Sequence, residues 1–361
     1  MLLIFNALQS SLNGGIGRYS YELAAGIYKE RDFEVKIVIR EEDKGIYDFV
    51  QEKDLIIAKG ITNSKKRNLY EQLILPYIIR KNYPEAIVHF PDTMAPLLLR
   101  NKTVITVHDL AFKTLKNAFT FSSSLWKNFS TNITVKRAEK IIAITNFTKS
   151  EIYKHYPKLD KEKIHVVYNG FNDFSKEEIN KDNISTKILS LKNKYILTVS
   201  TISPRKNING LIEAFNLIKD KVEYDLVIAG NNGWMYEEIY ELVDKYGLNK
   251  RVIFTGKVND DELKFLYKNA AIFAYVSFYE GFGLPPLEAM SYGVPCVVSN
   301  AASIPEVVGD AAVKINPDDI NEIAQGILKA ENYQGQNKDE VLAKFSWEKC
   351  ARETRLCYLS R

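Results

Sequence analysis

A chain of 361 residues exceeds what one ordinary core covers, so two domains are expected. At 46% hydrophobic and 26% charged residues it is too apolar to stay disordered, and three cysteines exclude a disulfide framework. The net charge of +4 divides unevenly: residues 1–170 hold 26 basic against 18 acidic side chains, and the remainder 23 against 27.

The chain opens with Met1–Asn6, which lacks the basic start and long apolar run of a signal peptide. No apolar run approaches the length that spans a bilayer, so a cytoplasmic chain is expected. Short Val- and Ile-rich runs alternating with amphipathic segments predict βαβ units and parallel sheets in both halves. The first half should carry strands at Leu2–Phe5, Glu34–Ile39, Ala86–His89, Thr103–Val107, Lys140–Ile144 and Ile164–Val167. The second should carry them at Tyr195–Val199, Asp225–Ala229, Val252–Phe254, Ile272–Val276 and Pro295–Val298. The polar stretch 171–190 reads as a linker between a domain of residues 1–170 and one of 191–345. A last helix over 346–361, capped by Ser346, should turn Trp347, Ala351, Leu356 and Leu359 inward. It either closes the second domain or crosses back onto the first. Cys350 and Cys357, seven apart, fit one packed helix face better than a metal pair.

In open parallel sheets ligands gather beyond the carboxyl ends of strands, and several unusual segments fall there. Asn13-Gly14-Gly15-Ile16-Gly17-Arg18-Tyr19 follows the first strand too late, and with the wrong spacing, for a dinucleotide fingerprint. It reads as a phosphate-approach loop centred on Gly15, or as a turn capping the next helix. Thr106-Val107-His108-Asp109 ends another strand, and His108 suits positioning a sugar hydroxyl or shifting a proton. A structural His–Asp pair is the competing reading. Residues 112–140 combine Lys113, Lys116, Lys127, Lys136, Arg137 and Lys140 with Phe119, Phe121, Leu125, Trp126 and Phe129. Such a mixture suits an anionic membrane surface, and equally a buried helix with a wet basic face.

In the second half, Ser200–Asn207 places Arg205 and Lys206 side by side at a loop-to-helix junction, a fork and a point charge for a diphosphate. After the strand at 272–276 comes Glu280-Gly281-Phe282-Gly283-Leu284-Pro285-Pro286-Leu287-Glu288. Proline suits the first helical positions, so a helix should start near Pro285 or Pro286 and end by Gly293. Its free N–H groups would face an anion, with Glu288 in the first turn. Each carboxylate can accept two hydrogen bonds, as a ribose diol or paired sugar hydroxyls require. No zinc spacing, H-E-x-x-H, Walker loop or strand-end Asp-x-Asp clamp is present.

The Glu280–Glu288 stretch resembles the E-x7-E motif of retaining glycosyltransferase family 4. Gly293-Val-Pro-Cys-Val-Val-Ser-Asn300 and Ile304-Pro-Glu-Val-Val-Gly309 resemble it too. The resemblance implies an α/β GT-B fold, with two Rossmann-like domains whose parallel sheets face each other across a cleft. It assigns the nucleotide sugar to the second domain and the acceptor to the first. It implies ribose binding by Glu288, donor-sugar contact by Glu280, and donor contacts at Gly281, Phe282, Gly283 and Leu284. Phosphate neutralisation would fall to Arg205 and Lys206, a donor-side glycine loop to Gly15, and an active-site histidine to His108. Thr145-Asn146 and Asn169-Gly170 match further strand-end positions. The chain departs at Ser200, where relatives commonly have glycine. No cofactor or metal is implied.

The expected activity is thus retaining transfer of a hexose from a nucleotide sugar to a growing glycan, free or lipid-linked, with peripheral contact to the inner membrane face. The run Tyr279–Val308 is most similar to bacterial O-antigen and capsule mannosyltransferases. That puts GDP-mannose first, ahead of a UDP-hexose or dTDP-rhamnose. The alternatives are a non-hydrolysing nucleotide-sugar epimerase and a catalytically silent sugar-nucleotide binder. Nucleic-acid binding is not expected, since the basic half has no recognised module.

Overall fold

The computed structural model describes residues 1–9, 14–115, 121–333 and 335–360, and of 121–124 only the backbone. The chain forms two compact units, Met1–Gly170 with Phe345–Arg361, and Phe171–Lys344.

The first unit is built on seven parallel strands: β1 Leu2–Asn6, β2 Glu34–Arg40, β3 Leu55–Ala58, β4 Ile87–Phe90, β5 Thr103–Val107, β6 Lys140–Ala143 and β7 Ile164–Val166. They lie in the order β3-β2-β1-β4-β5-β6-β7. The second unit has six, β8 Tyr195–Val199, β9 Asp225–Ala229, β10 Val252–Gly256, β11 Ile272–Tyr275, β12 Cys296–Ser299 and β13 Val313–Ile315, in the order β10-β9-β8-β11-β12-β13. Both sheets reverse their winding beside the first strand, between β1 and β4 and between β8 and β11. Such a reversal opens a crevice at the strands' carboxyl ends. Strands such as Thr103–Val107 and Asp225–Ala229 are buried at every position because helices cover both faces.

Most predicted strands lie within one or two residues of the observed ones. The two that composition did not reveal, β3 and β13, are only four and three residues long. Both are edge strands, with a neighbour on one side only.

Residues 171–190, which read as a linker, pack onto the second unit. Phe174, Ile184 and Ile188 are buried there, Asn183 donates to Asp261 at 2.7 Å, and the Ser185 amide donates to Glu262 at 3.0 Å. The last helix, Trp347–Leu359, starts from a Ser346 hydroxyl that accepts from the Lys349 amide and belongs to the first unit. It lies close on helix Gly15–Lys29: a Cβ on Gly26 would stand 2.6 Å from that of Ala351. Its buried face is Trp347, Cys350, Ala351, Thr354, Cys357 and Tyr358. Leu356 and Leu359, expected inside, are 60% and 50% exposed. The helical period set by Trp347, Cys350, Thr354 and Cys357 carries them round to the solvent side.

Candidate functional site

Candidate residues occur on both units, and each set is built by its own sheet. In the second unit the chain leaves β8 and turns through a short 3-10 segment at Pro204–Lys206. Asn207 follows with φ 54°, and helix Ile208–Ile218 begins. Asn207 holds that left-handed corner by donating to the carbonyls of Val276 (3.2 Å) and Pro317 (2.7 Å). A residue larger than glycine at 210 would strike the Asn207 side chain. The corner ties the loop after β8 to the end of β11.

Beyond β11, Glu280 meets both cations. Its Oε2 lies 2.8 Å from Arg205 Nη1 and its Oε1 2.5 Å from Lys206 Nζ. Arg205 also donates to the Tyr279 carbonyl at 2.7 Å, and Lys206 to the Tyr275 hydroxyl at 2.9 Å. Glu280 is 6% exposed. Burial pushes its carboxyl up, but Lys206 and Arg205 outweigh it and hold the group at about 2. The result is a buried carboxylate gripped by two cations whose own burial is less complete.

The glycine turn leads into helix Leu284–Ser291, with Gly283 at φ 102° as its N-cap. Gly283 is required there twice over: its φ suits glycine, and a Cβ would stand 2.4 Å from Ile304 Cδ1. Gly281 and Phe282 are buried and Leu284 half-buried. The Ser303 hydroxyl sits against the carbonyls of Glu280 and Phe282, at 2.9 and 3.0 Å. The helix starts one residue earlier than expected and stops before Gly293, whose φ is 77°. Glu288 is therefore its fifth residue, beyond the first turn where it was expected. It is 5% exposed, and its Oε2 accepts from the Tyr267 hydroxyl at 2.9 Å. That bond holds the carboxylate in one orientation.

In the first unit, Gly15 is the first residue of helix Gly15–Lys29, with Gly14 as N-cap. Asn13 lies outside the described residues. Among the described residues, a Cβ on Gly15 would meet nothing within 4 Å. His108 follows β5. Its Nε2 lies 3.0 Å from the Pro91 carbonyl, which can only accept, so the proton sits on Nε2 and Nδ1 is an acceptor. The Tyr19 ring packs edge-on at 4.7 Å. Burial lowers the imidazole pKa, with Asp92 opposing, so His108 is neutral near pH 7. Asp109 acts on it only electrostatically among the described residues; its Oδ1 accepts from the Ala111 amide at 3.0 Å and caps a turn.

Thr145 accepts from the Thr148 amide at 3.0 Å and caps helix Asn146–His155, and Asn146 donates to the Tyr168 hydroxyl. Gly170 lies against Trp347, where a Cβ would stand 2.4 Å from the indole residue's backbone nitrogen. Of the basic-aromatic segment, Leu125, Trp126 and Phe129 are 62%, 44% and 53% exposed. Lys113 instead turns inward and donates to Asn128 and Asn132. Lys116, Phe119 and the Phe121 side chain lie outside the described residues.

Three contributors escaped sequence reasoning. Tyr275 and Tyr267 look like core aromatics, in β11 and in helix Asp260–Asn269, and nothing in spacing distinguishes their hydroxyls. Ser303 directly precedes the motif-like Ile304–Gly309 and was legible only as a neighbour. Among the described residues no three His, Cys, Asp or Glu side chains gather as a metal site, and no helix is long and apolar enough to cross a membrane.

Comparison with known proteins follows the two units. Residues 180–346 match the family described as Glycosyl transferases group 1, and residues 13–173 match Glycosyltransferase Family 4. The chain is 29% identical over 375 residues to O-antigen chain mannosyltransferase B of Escherichia coli, covering 95% of each. It is 34% identical over 267 residues to serotype-specific mannosyltransferase WbdA of the same species, across 69% of this chain and 32% of that longer protein. Among solved structures, Anabaena Alr3699/HepE in complex with UDP and glucose superposes with a TM-score of 0.75 at 18% identity, covering 100% of both chains.

Proposed function

The chain belongs to glycosyltransferase family 4 and has the GT-B fold, and on that footing we propose that it transfers mannose from GDP-mannose to a hydroxyl of a growing surface glycan. The observation that carries the reading is the Arg205–Lys206–Glu280 cluster beside the Gly283-capped helix. Two cations at a loop corner, next to a helix start, match a leaving diphosphate. The mannosyltransferase relatives favour mannose as the transferred sugar.

In this reading Glu288, oriented by Tyr267, binds the ribose diol, and the turn at Gly281–Leu284 receives the donor. Glu280 orients the transferred sugar. A second carboxylate placed as a covalent nucleophile is not evident among the described residues, so front-face attack with retention fits best. The acceptor oxygen bonds to the anomeric carbon as the bond to the diphosphate breaks, and the diphosphate oxygen takes the acceptor's proton. Arg205 and Lys206 stabilise the charge that grows on that oxygen. His108, neutral and with Nδ1 as acceptor, positions a sugar hydroxyl, and Gly15 leaves room beside its helix start. The exposed Leu125, Trp126 and Phe129 support peripheral contact with an anionic membrane.

The decisive experiment screens GDP-mannose, UDP-glucose, UDP-galactose and dTDP-rhamnose for thermal stabilisation, then for transfer to mannosyl acceptors. Stabilisation and turnover with GDP-mannose alone are expected. Preference for a uridine donor, as in the UDP complexes of HepE, would overturn the donor assignment. Epimerised donor formed without acceptor would overturn the transferase reading.

A further inference from the structure

In the first unit Asn6, Glu71 and Asp92, near His108, take no part in the donor chemistry proposed above. Asn6 ends β1, Asp92 lies two residues past β4, and His108 one past β5. These strands are neighbours at the winding reversal of the sheet. Glu71 reaches the same place from a single π-helical stretch, Tyr70–Ile74, between helices Ser64–Leu69 and Leu75–Asn82. Such stretches are rare and concentrate at functional sites.

Asn6 is 3% exposed. Its Nδ2 donates to Glu71 Oε1 at 2.8 Å, while its Oδ1 is buried and has no hydrogen-bond partner among the described residues. A buried acceptor left unsatisfied is costly, and a structural Asn–Glu pair does not account for it. What fits that oxygen is a donor hydroxyl supplied from outside. Asp92 acts electrostatically on Glu71, and its Oδ2 accepts from Gln9 at 2.6 Å and its Oδ1 from the Thr93 amide at 2.6 Å. Burial raises the Glu71 carboxyl pKa, the Asn6 hydrogen bond and Arg67 oppose it, and the Asp92 charge adds to the rise. Asp92 also acts on His108. Among the described residues, the charged groups acting on Glu71 are Asp92 and Arg67, whose Nε is 3.8 Å from Glu71 Oε2.

The geometry points to Asn6, Glu71 and Asp92 as the seat of an uncharged acceptor sugar, whose hydroxyls donate to the Asn6 amide oxygen and the two carboxylates. Acceptor oxygens dominate the cluster, so it suits vicinal hydroxyls and repels a phosphate or a uronate. The acceptor is then the neutral end of a glycan chain, and the enzyme extends a chain instead of starting one on a lipid phosphate. This rests on the glycosyltransferase reading and specifies its acceptor.

The test uses the whole chain and two probes, methyl α-mannoside and mannose 6-phosphate, with binding read by saturation-transfer NMR without donor. The neutral mannoside should bind at least tenfold more tightly. Equal or tighter binding of the phosphate would overturn the proposal. In transfer assays Glu71→Gln and Asp92→Asn should each raise the acceptor KM at least tenfold, with donor KM within twofold, and narrow the discrimination against mannose 6-phosphate. If both variants fold, by circular dichroism, and keep the wild-type acceptor KM and discrimination, the site is wrong. Should either variant fail to fold, wild-type binding of the two probes still decides. Absence of turnover with any nucleotide sugar would sink the transferase reading, while the NMR comparison would judge this site independently.

Discussion

Lys206 Nζ lies 2.5 Å from Glu280 Oε1, so a carboxylate engages the cation assigned to the diphosphate. Arg205 engages the other oxygen at 2.8 Å. An arriving diphosphate therefore competes with Glu280 for the same two groups. In Glu280→Gln that competition is lost: nucleoside diphosphate should bind as tightly as in wild type or tighter by calorimetry, while turnover falls at least a hundredfold. Weaker diphosphate binding together with full turnover would refute both assigned roles.

The same pair sets an acid sensitivity. The Glu280 carboxyl is moved from 4.5 to about 2 in the folded chain, so its stabilisation is complete above pH 4.5 and is lost as pH falls toward 2. The shift corresponds to something on the order of 3 kcal/mol. Urea unfolding of wild type and Glu280→Gln at pH 6 and pH 3 should show their stability difference shrinking in acid. A difference independent of pH would mean the carboxylate is not held as described.

Lys206→Ala separates charge stabilisation from binding. If Lys206 meets charge that grows on the leaving diphosphate, kcat should fall by about 10²–10³, the range seen for loss of one such donor. Donor KM should change less. Lys206→Arg should rescue poorly, because a planar fork cannot also place one nitrogen between Glu280 and the Tyr275 hydroxyl. Glu288→Ala should act on the other parameter, raising donor KM at least tenfold. Tyr267→Phe, which removes the hydrogen bond to Glu288 Oε2 without removing the carboxylate, should give a smaller rise of about threefold to tenfold, reflecting about one hydrogen bond. Unchanged donor affinity in Glu288→Ala would remove the ribose role.

The residues proposed to hold the donor were legible as a group because they are local in sequence. Arg205 and Lys206 are adjacent, and Glu280–Glu288 is one continuous turn and helix start. The hydroxyls of Tyr267, Tyr275 and Ser303 were not legible, since a tyrosine among core residues declares its ring and not its hydrogen-bond partner. Leu356 and Leu359 were misplaced because apolar character alone does not set a helix's buried face; the close approach of Gly26 to Ala351 does. The Asn6–Glu71–Asp92 cluster spans 86 positions of sequence and appears only once β1 and β4 are paired.

His89 passed unnoticed as a strand residue, yet it is fully buried with both nitrogens bonded. Its Nδ1 lies 2.5 Å from the Tyr358 hydroxyl and its Nε2 2.9 Å from Thr106 Oγ1. Thr106 in turn meets the Tyr19 hydroxyl at 3.0 Å, and Tyr19 packs on His108. Burial, with a smaller push from His108, lowers the His89 pKa from 6.5 to about 3. The folded chain thus resists protonation that the unfolded chain accepts, and stability should fall as pH drops from 6.5 toward 3, by something on the order of 5 kcal/mol at the limit. Tyr358→Phe should cost about 1–3 kcal/mol at pH 7 by leaving a buried ring nitrogen unpaired. His89→Gln should flatten the part of the stability profile between pH 6.5 and 4; a profile unchanged in that variant would assign the acid loss elsewhere.

Gly283→Ala tests whether the turn before helix Leu284–Ser291 is demanded by backbone or by space. The φ of 102° is strained for alanine whatever surrounds it, and the new Cβ would stand 2.4 Å from Ile304 Cδ1. Together these should destabilise the chain by about 1–3 kcal/mol. Ile304→Val alone removes the offending methyl and should cost about 0.5–1.5 kcal/mol. In the Gly283→Ala background the same change relieves the clash, so its cost should vanish or reverse. The backbone part should persist, leaving the double variant below wild type. If the two effects simply add, the methyl yields without strain, and the glycine is required for its φ alone.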